Sequence, residues 1–183
     1  MLDFSSIERR ASKIKLLLMD CDGVLTDGRL WLFDNGEEQK SFNVRDGLGL
    51  DLWHRAGLKS GVISGRHSSA LQRRADGLRI EFVRQRSENK VNDFKDLLRL
   101  AEVDENEVAF VGDDLNDIPL MLRSELAVAV ADAATETLAV AHFVTQAPGG
   151  SGAIREVVEL ILKAQGRWAE VIETYLKPVG SEK

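Results

Sequence analysis

Apolar residues in this chain fall in short dense blocks set between stretches of mixed polarity. The first block runs from Ile14 to Met19 and stops at Asp20. A short apolar run without alternation fits a strand buried on both faces. Similar blocks recur at Lys59 to Ile63, Ile80 to Val83, Val108 to Val111, Leu126 to Val130 and Phe143-Val144. The segments between them read as helices: Leu48 to Ala56, Ser68 to Leu78, Lys90 to Ala101, a turn from Pro119 through Leu122, and Thr135 to Ala141. Asn89 is placed to cap one helix, Gly57 to end another, and Pro119 suits a first turn. Ile7 to Lys13 reads as a short charged helix or lead-in, and Asp104 to Glu107 as a capped turn. Strands alternating with helices predict an α/β fold, doubly wound, with a mostly parallel sheet covered on both faces.

Two stretches depart from that alternation. Arg29 to Phe33 and Gln39 to Phe42 flank Asp34-Asn35-Gly36-Glu37. Asn-Gly between strand-like runs signals a β-hairpin. A hairpin carrying Trp31 and Phe33 is too small to bury both faces alone, so it packs on the domain body or on another subunit. Near the end, Ile154, Val157, Val158, Ile161, Ala164, Trp168, Val171, Ile172 and Tyr175 recur at spacings of three and four. That stripe predicts one long helix starting near Ala153, its last part reaching a neighbouring chain.

A length of 183 residues fits one domain over 1–183 with a substantial core. The net charge of −6 argues against a general nucleic-acid partner. No run of about 18 apolar residues exists to span a membrane, and the N-terminus lacks the apolar region of a signal peptide. Cys21 is the single cysteine, so no intrachain disulfide forms and a reducing, cytoplasmic setting fits. It lies between two acids with no histidine nearby in sequence, and reads as buried filler.

The chemistry gathers where the strands end. Asp20 and Asp22 close the first strand one residue apart. Two carboxylates that near are tolerable with a cation between them or a proton on one. Ser64 follows the second strand, Lys90 opens the helix after the third, and Asp113, Asp114 and Asp117 follow the fourth. Ligands bind at the carboxyl ends of strands in open α/β sheets. Several carboxylates, a hydroxyl and an ammonium suit a phosphoryl group and Mg²⁺, which takes hard oxygen ligands such as Asp20 and Asp113. Asp20 can attack phosphorus, Asp22 can exchange the proton, Ser64 can bond a phosphoryl oxygen and Lys90 can neutralise charge. Arg45, Arg66, His67, Arg73 and Arg74 form a local basic set in an acidic chain, suited to a carboxylate on the substrate.

These motifs resemble those of the haloacid dehalogenase superfamily: Asp20-Cys21-Asp22-Gly23, then Ser64, Lys90, and Gly112-Asp113-Asp114-Leu115-Asn116-Asp117. The resemblance implies Asp20 as nucleophile and Asp22 as acid/base. It also implies Mg²⁺ held by the Asp20 and Asp113 side chains and the Asp22 carbonyl, with Asp117 close by. About 40 residues separate Asp22 from Ser64 and about 20 separate Lys90 from Asp113, too few for a cap domain.

A capless chain with Phe42-Asn43-Val44-Arg45-Asp46-Gly47, Ser64-Gly65-Arg66 and Gly149-Gly150-Ser151-Gly152 resembles the tetrameric 3-deoxy-D-manno-octulosonate 8-phosphate phosphatase family. That implies a hydrolase of lipopolysaccharide sugar biosynthesis acting on a small phosphorylated sugar acid. Asn43, Arg45, Asp46, Gly47, Gly65, Arg66, Arg74 and Lys90 would contact substrate. It also implies a homotetramer with the hairpin and C-terminal helix at its interfaces. Two features depart from the family: Arg86-Ser87-Glu88-Asn89 precedes Lys90 where a glycine is usual, and Asp51 stands where many octulosonate members are basic. A nonulosonate 9-phosphate phosphatase is the alternative within this chemistry. A phospho-acceptor signalling domain is the alternative outside it, and Asp22 speaks against that, because a long-lived aspartyl-phosphate needs no built-in acid/base.

Overall fold

The computed structural model describes residues 4–177; residues 1–3 and 178–183, part of the single domain expected over 1–183, lie outside the described residues. Six strands form one parallel sheet: β1 (Leu16–Met19), β4 (Lys59–Ile63), β5 (Phe82–Arg84), β6 (Val108–Gly112), β7 (Leu126–Ala129) and β8 (Phe143–Val144). Their order is β5-β4-β1-β6-β7-β8. The chain runs outward from β1 on one side and returns to β6 on the other, so the order reverses between these two central strands. That reversal opens a crevice at their carboxyl ends. The hairpin is separate, with β2 (Trp31–Leu32) antiparallel to β3 (Glu38–Gln39).

Successive residues of β1 serve opposite faces of the sheet, as the pleat requires. Leu17 and Met19 join a core with Trp53, Val157 and Ile161; Leu16 and Leu18 join one with Phe94, Leu97 and Phe110. The first core is covered by α1 (Phe4–Ala11), α2 (Val44–Arg55), α3 (Ser69–Leu78) and α7 (Ala153–Ala164). The second is covered by α4 (Lys90–Ala101), α5 (Ile118–Met121) and α6 (Thr135–Val140). A sheet buried on both faces is why its strands read as apolar blocks.

Two expectations need correction. The predicted long C-terminal helix is two helices, α7 and α8 (Trp168–Leu176), broken at Gly166, whose φ of 67° is left-handed. Glycine takes that conformation at no steric cost and ends α7 there. The helix expected from Leu48 starts four residues earlier, at Val44, because the Asn43 side chain accepts the Arg45 N–H at 2.8 Å and caps it. Among the described residues no helix is long and apolar enough to cross a membrane.

Candidate active site

Asp20 follows β1 directly, and its N–H donates to the Val111 carbonyl at 3.0 Å, continuing the pairing with β6. The chain then turns tightly, with the Cys21 carbonyl accepting the Leu25 and Thr26 N–H groups. Gly23 makes the turn possible, since its φ is 94° and a Cβ there would lie 2.0 Å from Asp113 Oδ2. The loop after β8 closes over this turn: Gly150 donates to the Val24 carbonyl at 2.9 Å, and a Cβ on Gly149 would meet the Gly23 carbonyl oxygen at 1.7 Å. Cys21 is fully buried and free; burial, aided by the Asp22 charge, pushes its thiol well above the ordinary range, as expected of filler.

Opposite, β6 ends in Gly112 and leads to Asp113. Asp117 folds back under this loop, and its Oδ2 accepts the Asp113 N–H at 3.1 Å. Its other oxygen takes the Lys90 ammonium at 2.7 Å, and Lys90 also donates to Asp20 Oδ1 at 3.0 Å. Lys90 reaches Asp20 although no glycine precedes it.

Asp20, Asp22, Ser64, Gly65, Arg66, Lys90, Asp113, Asp114 and Asn116 line a cavity of about 200 Å³. Its size suits a phosphoryl group and not a whole sugar acid. A larger cavity of about 620 Å³ lies alongside, between the hairpin and α3, bordered by Phe33, Glu38, His67 and Arg73. Ser64 is buried, and its hydroxyl oxygen accepts the Arg66 N–H at 3.2 Å, which leaves its own proton to donate.

The electrostatics ask for a cation. Asp20, Asp113 and Asp117 offer carboxylate oxygens all within 4.8 Å of one another. Burial and the charges of Asp117, Asp20 and Asp114 push Asp113 up to about 8. Burial and Asp117 also raise Asp20, against the pull of Lys90. Among the described residues, buried Asp113 Oδ1 has no hydrogen-bond partner, and a metal ion would satisfy it.

Residues 62–156 match the haloacid dehalogenase-like hydrolase family. Over 166 residues, 91% of this chain and 88% of the relative, it is 42% identical to 3-deoxy-D-manno-octulosonate 8-phosphate phosphatase KdsC of Escherichia coli. The chain belongs to the 3-deoxy-D-manno-octulosonate 8-phosphate phosphatase family. Solved members share its shape. The phosphatase from Yersinia pestis is 41% identical with a TM-score of 0.88, covering 90% of this chain and 89% of that one. The one from Moraxella catarrhalis, described in complex with magnesium ion, phosphate ion and a KDO molecule, is 36% identical with a TM-score of 0.91, covering 94% and 99%. The chain is a phosphatase, and the acids around Asp113 fit Mg²⁺ as its cofactor.

The expected substrate contacts divide in two. Gly65 and Arg66 line the cavity, whereas Asn43, Arg45, Asp46, Gly47 and Arg74 lie outside it. Asp46 is fully engaged elsewhere: its oxygens accept the Gly152 N–H at 3.1 Å and the Arg155 N–H at 3.0 Å, capping α7 where Gly152 has no side chain to do so. Arg74 donates to the Asn43 carbonyl at 3.0 Å and covers the Phe42 ring, and its guanidinium fills the space beside Gly47. Arg45 is exposed. Asp51 pairs with Arg55 and Arg79, away from the cavity. Sequence reasoning missed Glu38 and Lys40. Lys40 is buried and bonded to Asp22, and Glu38 is paired with Arg66. Their i, i+2 spacing, which puts both on one side of a strand, was the available signal.

Proposed function

We propose that this chain hydrolyses 3-deoxy-D-manno-octulosonate 8-phosphate to the free sugar acid and inorganic phosphate. The observation that carries this reading is Asp20, held by Lys90 beside Asp22 and Asp113 in a phosphoryl-sized cavity. Asp20 attacks phosphorus while the ester P–O bond breaks. The electron pair stays on the sugar oxygen, which takes a proton from Asp22. Water then displaces Asp20 from phosphorus and gives a proton back to Asp22, releasing phosphate and restoring both acids. Ser64 donates to a phosphoryl oxygen, and Lys90 holds Asp20 in line. Asp20, Asp113 and the Asp22 carbonyl would hold Mg²⁺, with Asp117 fixing Lys90 and the Asp113 loop behind them. When bound, the ion supplies positive charge that stabilises the phosphoryl oxygens. Arg66 is the cavity's cation for the rest of the substrate. The Asn43 to Gly47 segment and Arg74 act farther out, shaping the surface around the sugar.

A cytoplasmic homotetramer is the assembly that fits, with the hairpin and α8 at subunit interfaces. Leu30, Trp31, Leu32 and Phe33 are all exposed on the isolated chain, and Tyr175 and Leu176 are exposed on α8. Four consecutive exposed apolar residues are costly unless another surface covers them.

The test is phosphate release from a panel of eight- and nine-carbon sugar-acid phosphates, with and without Mg²⁺. Mg²⁺-dependent release, fastest on octulosonate 8-phosphate and absent in Asp20→Asn, is expected. Preference for a nonulosonate 9-phosphate would move the substrate, and activity undiminished by EDTA would sink the metal assignment.

A further inference from the structure

Of the described lysines, only Lys40 and Lys90 are buried. Lys90 serves the nucleophile, and Lys40 has no place in the chemistry so far. Its side chain is 1% exposed, just past β3 at the base of the hairpin. Burying an ammonium is costly unless it is paired. Its partners are Asp22 Oδ1, in a short contact, and Glu38 Oε1 at 3.3 Å. Arg66 completes the set, with one nitrogen 2.6 Å from Glu38 Oε2 and another 3.7 Å from Asp22 Oδ2.

The two oxygens of Asp22 are thereby unlike. Oδ1 is held by Lys40, whereas Oδ2, 3.7 Å from Arg66, accepts no hydrogen bond among the described residues. An ammonium only donates; it has no lone pair to accept a proton's hydrogen bond. Lys40 therefore binds Oδ1 as an acceptor and pins that end of the carboxyl. A methionine at position 40 would fill similar volume without the desolvation cost, which makes the charge itself the feature to explain.

Resting on the reading of Asp22 as the acid/base group, we propose that Lys40 is a positioning residue: by holding Oδ1 it fixes the orientation of the Asp22 carboxyl toward the leaving oxygen. In the first half-reaction the sugar oxygen, keeping the electron pair of the broken P–O bond, takes the proton from the Asp22 carboxyl. In the second, that carboxyl takes a proton from the attacking water. Glu38 keeps Lys40 and Arg66 apart, with one oxygen on each. The hairpin therefore contributes to proton transfer from its base, while its apolar tip faces outward.

The experiment compares kcat/KM for octulosonate 8-phosphate with that for p-nitrophenyl phosphate, in Mg²⁺-loaded enzyme. An alkoxide leaving group needs a proton and p-nitrophenolate does not. General acid catalysis contributes about 10²- to 10⁴-fold, and a displaced acid forfeits part of that. Lys40→Met is expected to lower kcat/KM for the sugar phosphate at least about tenfold more than for the aryl phosphate. Lys40→Arg, which keeps donor and charge, is expected to recover most of the difference. Equal losses on both esters would mean a merely structural lysine and overturn the proposal, as would no loss on either. If Lys40→Met does not fold, Lys40→Gln is judged by the same comparison. Asp22→Asn is measured beside them. If it shows no leaving-group dependence, the acid/base reading of Asp22 fails; if it shows one that Lys40→Met lacks, only the role of Lys40 fails.

Discussion

Lys90 Nζ lies 2.7 Å from Asp117 Oδ1, and the Asp117 side chain is completely closed to solvent. The same ammonium reaches Asp20, and the second Asp117 oxygen accepts the Asp113 N–H. Asp117 thus ties the end of β1, the start of α4 and the loop after β6 into one unit. Although burial works against its charge, Asp117 and Asp20 hold the Lys90 ammonium above its ordinary range.

Removing Asp117 should therefore cost stability before it costs chemistry. Asp117→Ala leaves Lys90 with one acid and the Asp113 N–H unbonded. Breaking a buried ion pair from one side costs about 3–5 kcal/mol. Urea unfolding of Asp117→Ala is expected to show a lower midpoint with an unchanged slope. A loss under about 1 kcal/mol, the range of surface pairs, would mean that Lys90 is held by Asp20 alone.

The raised acids set the response to pH and metal. Asp113 is pushed up to about 8 by burial and by its acidic neighbours, whereas an unfolded aspartate titrates near about 4. Between pH 7 and 8.5 the unfolded group holds no proton and the folded one gives its proton up. Stability rises with pH only where the unfolded state binds more protons. Here the folded state does, so melting temperature in EDTA should fall from pH 7 to 8.5. His54 and His142, both held low chiefly by burial, act in the opposite sense, but by pH 7 their unfolded forms have given up most of their protons. Mg²⁺ at about 100 times its dissociation constant should add about 2.7 kcal/mol. The gain should be larger at pH 8.5, where it no longer displaces a proton. Asp113→Asn should flatten both trends. A melting temperature that climbs across this window in EDTA would mean that Asp113 is already ionised at pH 7.

What the sequence disclosed follows from where each interaction partner lies. Lys59–Ile63 and Lys90–Ala101 were legible to the residue because burial on both faces and an Asn cap are local signals. Asp20, Asp22, Ser64, Lys90 and Asp113 were legible because each stands at a strand end or helix start. Gly166 was available as a helix stop, but apolar residues continue at three and four on either side of it, and that period masked the break. Asp46 reads with the basic segment around it, whereas the N–H groups it binds, those of Gly152 and Arg155, are more than 100 residues away and leave no local trace. Lys40 meets Asp22 across the hairpin, 18 residues apart, and only folding brings them together.

The hairpin carries the last prediction. Trp31 is 62% and Leu32 72% exposed, and neighbouring Leu30 and Phe33 are exposed as well. Anchorage to the chain's own body comes from Glu38 and Lys40 at the base, which leaves the apolar tip free to meet another copy. Burying one leucine side chain contributes about 1.5–3 kcal/mol. In a symmetric assembly each copy supplies the same patch, so one substitution is repeated at every equivalent contact. Leu32→Glu should therefore weaken association by more than about tenfold, since each 1.4 kcal/mol is a factor of ten. It removes no buried contact within the chain, so far-ultraviolet circular dichroism should be unchanged. Sedimentation velocity at micromolar protein should show a slower species in Leu32→Glu than in the parent. If the parent sediments as a monomer, or if Leu32→Glu leaves the profile unaltered, the hairpin tip is not the surface on which copies of this chain meet.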